Sequence, residues 1–438
     1  MKSQSLESGA ESPSAGGPAA TKTSTPAQAP RARKLRRWLL IGGGGGLALV
    51  LLLWVAVHRI PWMGPLVANT LRAIIGTDNV ARLEDFAYGL EDRFNRVWKR
   101  NEKPKAYWDV KSAKQAHAKP PPKAASSATP VPALPPFTLK DPGPVHKSWS
   151  APGDGEWVPI VDPRRPNDEV RLLKTLLHPD KNRSWADLFV VAVDLRRVEV
   201  YPVAGYQEPK SDKPEAENYK RHAKIPVDHH DRLLAAFNGG FMTEHGGYGM
   251  KIDGITLVDP KDKACTLAKY QSGQLGIGPW TALKDREKDM LWYRQAPNCM
   301  YVDGEMHPLL KAPNVRHWGA TLDGETVIRR SAVGMDESGT TLYVGISNHT
   351  TARVMAEGMH HSGATTIAQM DVNWSYPKFV LYEPKGEGGK LIAVALAEGF
   401  EFSEDEYIRS RSMRDFFYLA RKADPKPPSK GQPSEGQQ

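Results

Sequence analysis

Three short segments hold the residues best able to do chemistry. The first is AAFNGGFM, residues 235–242, where an apolar run stops at Asn238-Gly239-Gly240 and Phe241 follows at once. Asn-Gly-Gly after an apolar strand is, by itself, a turn. Further glycines at 246, 247 and 249 bare enough backbone for amide N–H groups to approach an anionic or polar ligand closely. Asn238 can donate and accept at the same spot. The second segment is RRSAVGMDESGTTLYVGI, residues 329–346. Neighbouring strand residues point to opposite faces, so at most one of Arg329 and Arg330 faces a shared cleft. An inward arginine near a glycine loop is a planar, bidentate receptor for phosphate or carboxylate. The third is GATTIAQMDVNWSYP, residues 363–377, a strand ending in Asp371. Asn373, Trp374 and Tyr376 then add polar and aromatic surface of the kind that stacks on sugar rings, although Trp374 suits a core equally well.

The elements that must position these segments are mainly strands. Residues 188–194 and 197–203 are β-branched runs either side of a polar turn, and 233–237, 250–258, 274–278 and 290–293 follow as short strands. Residues 321–347 read as three strands joined by Asp-Gly and Ser-Gly turns. Residues 352–361 form a helix and 364–371 return to the sheet. A second helix is expected over about 404–421, opened by a Ser403/Glu406 capping box and burying Tyr407, Phe416, Phe417 and Leu419. Strands first and helices few and late make an α+β fold, a mostly antiparallel mixed sheet with one transmembrane helix ahead of it.

The flanks are organised differently. Residues 1–38 form a disordered basic tail, and 39–57 (LLIGGGGGLALVLLLWVAV) carry no charge over a length that matches bilayer hydrocarbon. No small-x-small cleavage pattern follows, so the segment reads as a retained anchor and not a signal peptide. The cationic run before it keeps the N-terminus cytoplasmic. Residues 59–100 contain an amphipathic juxtamembrane helix that packs on itself, a partner or the membrane surface. Residues 101–150 read as a Pro/Ala/Lys-rich linker, 151–422 as the globular domain, and 423–438 as a disordered tail. The net charge is +9, yet residues 151–438 hold 37 basic against 40 acidic residues, which excludes a nucleic-acid-binding core. Cys265 and Cys299 are either one disulfide or two buried thiols. The adjacent pairs His229-His230 and His360-His361 lack the spacing that lets ligands converge on a metal. His245, beside Glu244 in the glycine loop, is the histidine best placed to meet a cation. No cofactor is expected, and a divalent cation is left open.

In order and spacing, the three segments resemble the phosphodiester glycosidase family, whose type domain is N-acetylglucosamine-1-phosphodiester alpha-N-acetylglucosaminidase. The matching residues are Asn238-Gly239-Gly240-Phe241, then Arg330-Ser331-Ala332-Val333-Gly334 with a hairpin and helix, then Gly363-Ala364 leading to Asp371. The resemblance covers roughly 185 to 385. Two departures stand out: the family's Asp-Gly-Gly is Asp371-Val372-Asn373, and Met242 replaces a second aromatic. The resemblance implies hydrolysis of a sugar-1-phosphodiester or a related envelope glycan linkage. Arg330 would hold the phosphate, Asp371 would act as nucleophile or general base, and Asn238 with the Gly239 and Gly240 amides would orient the substrate. Phe241, Asn373 and Trp374 would complete the binding surface. The alternatives are a non-catalytic envelope polysaccharide-binding or assembly protein with a degenerate pocket, and a structural tether. The expected partners are a carbohydrate or sugar phosphate and, through 39–57, the lipid bilayer. The expected location is a single-pass inner membrane with the domain periplasmic or extracellular. On this reading, losing Arg330 costs far more than losing a surface arginine such as Arg197.

Overall fold

The computed structural model describes residues 77–117, 134–312, 318, 326–373 and 375–423, with Leu52, Thr70 and Ile74 as isolated positions. The anchor expected at 39–57 (Leu52 aside), residues 118–133, Trp374 and the tail from 424 lie outside the described residues. Among the described residues no helix is long and apolar enough to cross a membrane. The chain divides into two compact units, Met1–Val80 and Ala81–Gln438, and the second carries the fold.

Among the described residues, eighteen strands, numbered in chain order, form three sheets in which every pairing is antiparallel. The first sheet runs β1 (Val158–Ile160), β2 (Leu172–Leu177), β3 (Leu188–Asp194), β14 (Thr341–Thr350), β13 (Ile328–Met335), β15 (Thr366–Val372), β11 (Tyr301–Val302) and β12 (Glu305–Met306). The second runs β7 (Ile255–Val258), β6 (Met250–Ile252), β10 (Met290–Ala296), β8 (Cys265–Tyr270) and β9 (Leu275–Pro279). The third runs β17 (Leu391–Ala395), β16 (Phe379–Pro384), β5 (Leu233–Asn238), β18 (Phe416–Arg421) and β4 (Val198–Val203). The longer helices are α1 (Thr77–Trp98), α2 (Val110–His117) and α3 (Ala352–His361).

Strand periodicity sorts the core. Along β3, Phe189, Val191 and Val193 point to one side, where they meet Phe237, Phe379 and Phe417 of the third sheet and Leu267 and Trp292 of the second. Leu188, Val190 and Ala192 point to the other, where Met355, Ala356 and Met359 of α3 cover them. The hydroxyl of Thr351 caps α3 by accepting from the Val354 N–H.

One expected element is overturned: residues 404–421 are not a helix. The capping contacts do form, with the Ser403 N–H donating to Glu406 (3.0 Å) and the Asp405 N–H to Ser403 Oγ (3.2 Å), but they close only a turn. Phe416-Phe417-Tyr418-Leu419-Ala420 becomes a strand because it lies between β4 and β5 with both faces buried. A continuous apolar run satisfies that position as no one-sided helix would.

The expected linker is also shorter than 101–150. Val110 and Phe137 are buried, Tyr107 and Trp108 pack on the core, and Tyr107 meets Phe189 edge-on at 4.9 Å. Tyr107 donates to Asp187 Oδ2 (2.6 Å), Asp187 Oδ1 lies 2.9 Å from His178 Nε2, and His178 Nδ1 bonds Asp154 (2.8 Å). Burial pulls His178 down, but its bonds to Asp154 and Asp187 and their charges outweigh burial and raise it to about 9. The raised imidazolium stabilises the folded state fully below about 6.5, the unfolded value, and loses that effect as pH rises through about 9. The melting temperature should therefore fall between those pH values, and His178→Gln should flatten the profile; an unchanged slope would show that another group titrates.

Cys265 and Cys299 are joined, closing a loop with a sequence separation of 34. The bond ties the start of β8 to the segment leading into β11. Replacing both by Ser should cost about 3–4 kcal/mol in denaturant unfolding, by the loop-closure entropy restored to the unfolded chain.

Candidate functional site

The three chemistry-bearing segments do meet. Asn238 ends β5, Ser331 sits on β13 and Asp371 lies at the end of β15. The Asn238 side-chain amide donates to Ser331 Oγ (2.8 Å), and that hydroxyl donates to the Asp371 carbonyl (3.1 Å). Asn238 Oδ1 accepts from the Lys378 N–H (3.1 Å), and the Asp371 N–H donates to the Gly239 carbonyl (3.2 Å). Asn238 is wholly buried: its amide N–H reaches across to the first sheet, and its carbonyl oxygen takes the segment entering β16 of its own sheet.

The two glycines serve a different purpose from the one expected. Arg294, on β10, grips Asp415 with two bonds, Nε to Oδ2 (2.8 Å) and Nη2 to Oδ1 (3.1 Å). The same guanidinium donates to the carbonyls of Phe241 (2.7 Å) and Tyr248 (2.9 Å). The Gly239 N–H donates to the Asp415 carbonyl (2.9 Å) and the Gly240 N–H to its carboxylate (3.1 Å). A Cβ on Gly240 would sit 2.8 Å from Arg294 Cζ, and one on Gly239 would collide with Asp415. Glycine is needed because a buried ion pair lies against the backbone. Phe241 is itself buried and packs edge-on to Tyr248 at 5.9 Å.

Asp371 is 2% exposed and ion-paired with Arg414. Its Oδ1 accepts from the Val372 N–H (2.9 Å). Burial raises it to about 6, with the Arg414 charge and the Val372 bond pulling the other way. Arg414 reaches the edge of the cluster, its guanidinium 4.6 Å over the Tyr376 ring, and Tyr376 donates to the Asp415 carbonyl. Burial lowers Arg414, but Asp371 and Tyr376 more than offset it, so its net shift is upward. The Glu208 charge adds to that upward shift; Glu208 is 1% exposed, and its Oε2 accepts from the Thr243 N–H (2.9 Å) and hydroxyl (3.0 Å).

Arg330 stands apart from this group. It is fully buried and donates to the carbonyls of Thr350 (3.1 Å), Trp318 (2.6 Å) and Thr326 (3.0 Å) and to Gln369 Oε1 (3.1 Å). These are neutral oxygens, and the guanidinium on Asp371 belongs to Arg414. Arg329 is spent on Glu401, Asn348 and the Gly399 carbonyl. Asn373 is half-buried and accepts from the Ser375 N–H (3.1 Å). Arg197, expected at the surface, is buried against Asp194 and Glu169, so it is no neutral control.

Sequence reasoning missed Arg294, Arg414 and Asp415. The last two fell inside the helix expected over about 404–421, which gave them no role. The available signal was an Arg-Asp pair immediately before an aromatic run, which is a strand start.

Among the described residues no group of three or more His, Cys, Asp or Glu is placed to hold a metal. The paired histidines have other contacts. His229 meets the Tyr418 hydroxyl (2.7 Å), His360 stacks on Tyr301 at 4.5 Å, and His361 bonds the Gly143 carbonyl (2.9 Å). His245 lies 3.8 Å from Glu244.

No family model matches the chain, and no curated protein matches it. Among solved structures it is similar to the zebrafish N-acetylglucosamine-1-phosphodiester alpha-N-acetylglucosaminidase catalytic domain auto-inhibited by pro-peptide, at 16% identity over 60% of this chain and 87% of that one, TM-score 0.37. It is similar to a hypothetical protein from Synechocystis at 10% identity over 57% and 62%, TM-score 0.32. A Burkholderia pseudomallei protein described as exported follows at 12% identity over 54% and 74%, TM-score 0.27.

Removing one partner of a buried ion pair leaves the other charge uncompensated. Asp415→Asn should therefore destabilise the protein by about 3–5 kcal/mol in chemical denaturation. A cost under about 1 kcal/mol would mean that the pair is solvated.

Proposed function

We propose that this chain is a hydrolase of sugar-1-phosphodiesters or related anionic glycan linkages, acting at Asp371 and Arg414. The observation that carries the reading is a carboxyl at a strand end, raised to about 6 by burial and held by an arginine at the cluster's edge. Working sites are enriched in carboxyls perturbed by burial beside a specific charge partner. The order of the three segments, which resembles the phosphodiester glycosidase pattern, supports the same class.

The chemistry follows from the residues. A substrate phosphate would meet Arg414 first, because Asp371 lies behind it. An anion competing for that guanidinium weakens the charge that holds the Asp371 proton off. Water then adds at the anomeric carbon while the bond from that carbon to the phosphate oxygen breaks. The electron pair stays on the phosphomonoester, and ionised Asp371 takes the water proton. Arg414 stabilises the departing charge, so this reading moves the phosphate role from Arg330 to Arg414. The disulfide fits an oxidising compartment, and hence an exported domain held by the anchor at 39–57.

Two specific features favour a second reading. Asp371 is closed off, and the Gly239 and Gly240 N–H groups are already spent on Asp415. A non-catalytic glycan-binding protein would tolerate both.

One assay separates the two: release of reducing sugar from a sugar-1-phosphate diester by the full chain. Asp371→Asn should lower release by about 10²–10⁴ and Arg414→Ala by about 10²–10³. Exposed Arg165→Ala should leave release unchanged. The kcat/KM for release should rise with pH through about 6, the value of the free protein, as Asp371 ionises. Arg414→Ala should move that limb to higher pH, because removing a cation favours the protonated acid. Glycan binding without release across a panel of sugars would establish the second reading.

A further inference from the structure

Helix α1 packs on the domain with the wrong face. At about 100° per residue, Tyr88, Asp92, Asn95 and Lys99 share one side, and all four are half-buried. That inward side is polar: Asp92 takes two bonds from Arg183 (2.6 and 2.8 Å), and Lys99 lies 5.5 Å over the Trp185 ring. The opposite side carries Leu90, Phe94, Val97 and Trp98, exposed by 56%, 64%, 79% and 78%. Phe94 and Trp98 stack on each other at 5.9 Å, forming one apolar ridge. An amphipathic helix normally buries such a face against its own domain. This one holds it outward.

The surroundings of the ridge are cationic. Arg93, Arg96 and Arg100 follow one another along its flank, and with Val97, Lys181 and Trp185 they line a trough of about 490 Å³. An adjoining cavity of about 300 Å³ brings Lys103 and Lys105 to the same side, against Glu102 and Glu398. Arg183 is already matched by Asp92 and Asp180. A second copy of the chain seated on this ridge would bring a like set of arginines against these. An anionic surface would neutralise them.

We propose that the C-terminal half of α1 lies in the interface of an anionic phospholipid bilayer. Leu90, Phe94, Val97 and Trp98 enter the boundary between headgroups and acyl chains, and Arg93, Arg96 and Arg100 take lipid phosphates. Aromatic and aliphatic residues on one face with arginines on its flank are the chemistry of helices that lie in a membrane surface. The contact is independent of the hydrolase reading. It would fix the globular domain at the bilayer and not at the end of a long spacer.

The test uses the full chain carrying Phe94→Cys. Because Cys265 and Cys299 are joined, a polarity-sensitive thiol label goes to residue 94 alone. Val227→Cys, at a position exposed by 78% on the globular domain, serves as the reference. In nanodiscs containing phosphatidylglycerol, the label at 94 should shift to the blue and the label at 227 should not. The shift should shrink on phosphatidylcholine alone and with Arg93→Gln/Arg96→Gln/Arg100→Gln. Emission at 94 matching that at 227 in every lipid would overturn the proposal. So would an equal shift on both lipids, or one that appears in detergent and grows with protein concentration, the mark of a second copy.

Discussion

The structure turns on the buried pair of Arg294 and Asp415. Arg294 comes from the second sheet and Asp415 stands at the entrance to β18, the strand second from the edge of the third. Their two parallel bonds hold the Asn238-Gly239-Gly240 turn from above, while Asn238 and Ser331 hold it from the first sheet. A pair this deep gains its net stability from good geometry and from filling every remaining donor, and Arg294 does both through the Phe241 and Tyr248 carbonyls. All three sheets therefore converge on one polar knot inside an otherwise apolar interior.

That knot also sets the electrostatics of the neighbouring carboxyl. Asp371 is desolvated by the same packing that excludes water from Arg294 and Asp415. Asp415 raises it slightly further, whereas Arg414 and Arg294 lower it. Burial wins, leaving a group near neutrality whose state responds to whatever holds Arg414. Structural rigidity and acid–base readiness thus share one cause.

Much of this was legible in the sequence and some was not. The strands β3, β5, β13, β14 and β15 show their β-branched or apolar runs directly, and α3 shows its own periodicity. Asn238 and Asp371 stood out because each closes such a run. Ser331, which physically joins them, was hidden beside the more eye-catching Arg330. The error over 404–421 came from a real capping pair, Ser403 with Glu406, whose local signal lost to the burial of Phe416–Ala420 on both faces. Arg294, 121 residues from Asp415 in the chain, gave no local sign of its partner. Pairings that exist only once distant strands are assembled leave no periodic trace.

If the hydrolase reading holds, Asp371 titrates near neutrality under the control of Arg414. The direct measurement is a ¹³C-carboxyl NMR titration of the full chain, with the Asp371 signal identified by its loss in Asp371→Asn, run with and without a sugar 1-phosphate. The expected midpoint is about 6 for the free protein and higher with the ligand, as phosphate draws Arg414 away. A midpoint at the ordinary carboxylate value, or one that the ligand does not move, would contradict that reading and leave Arg414 and Asp371 as a fixed structural pair.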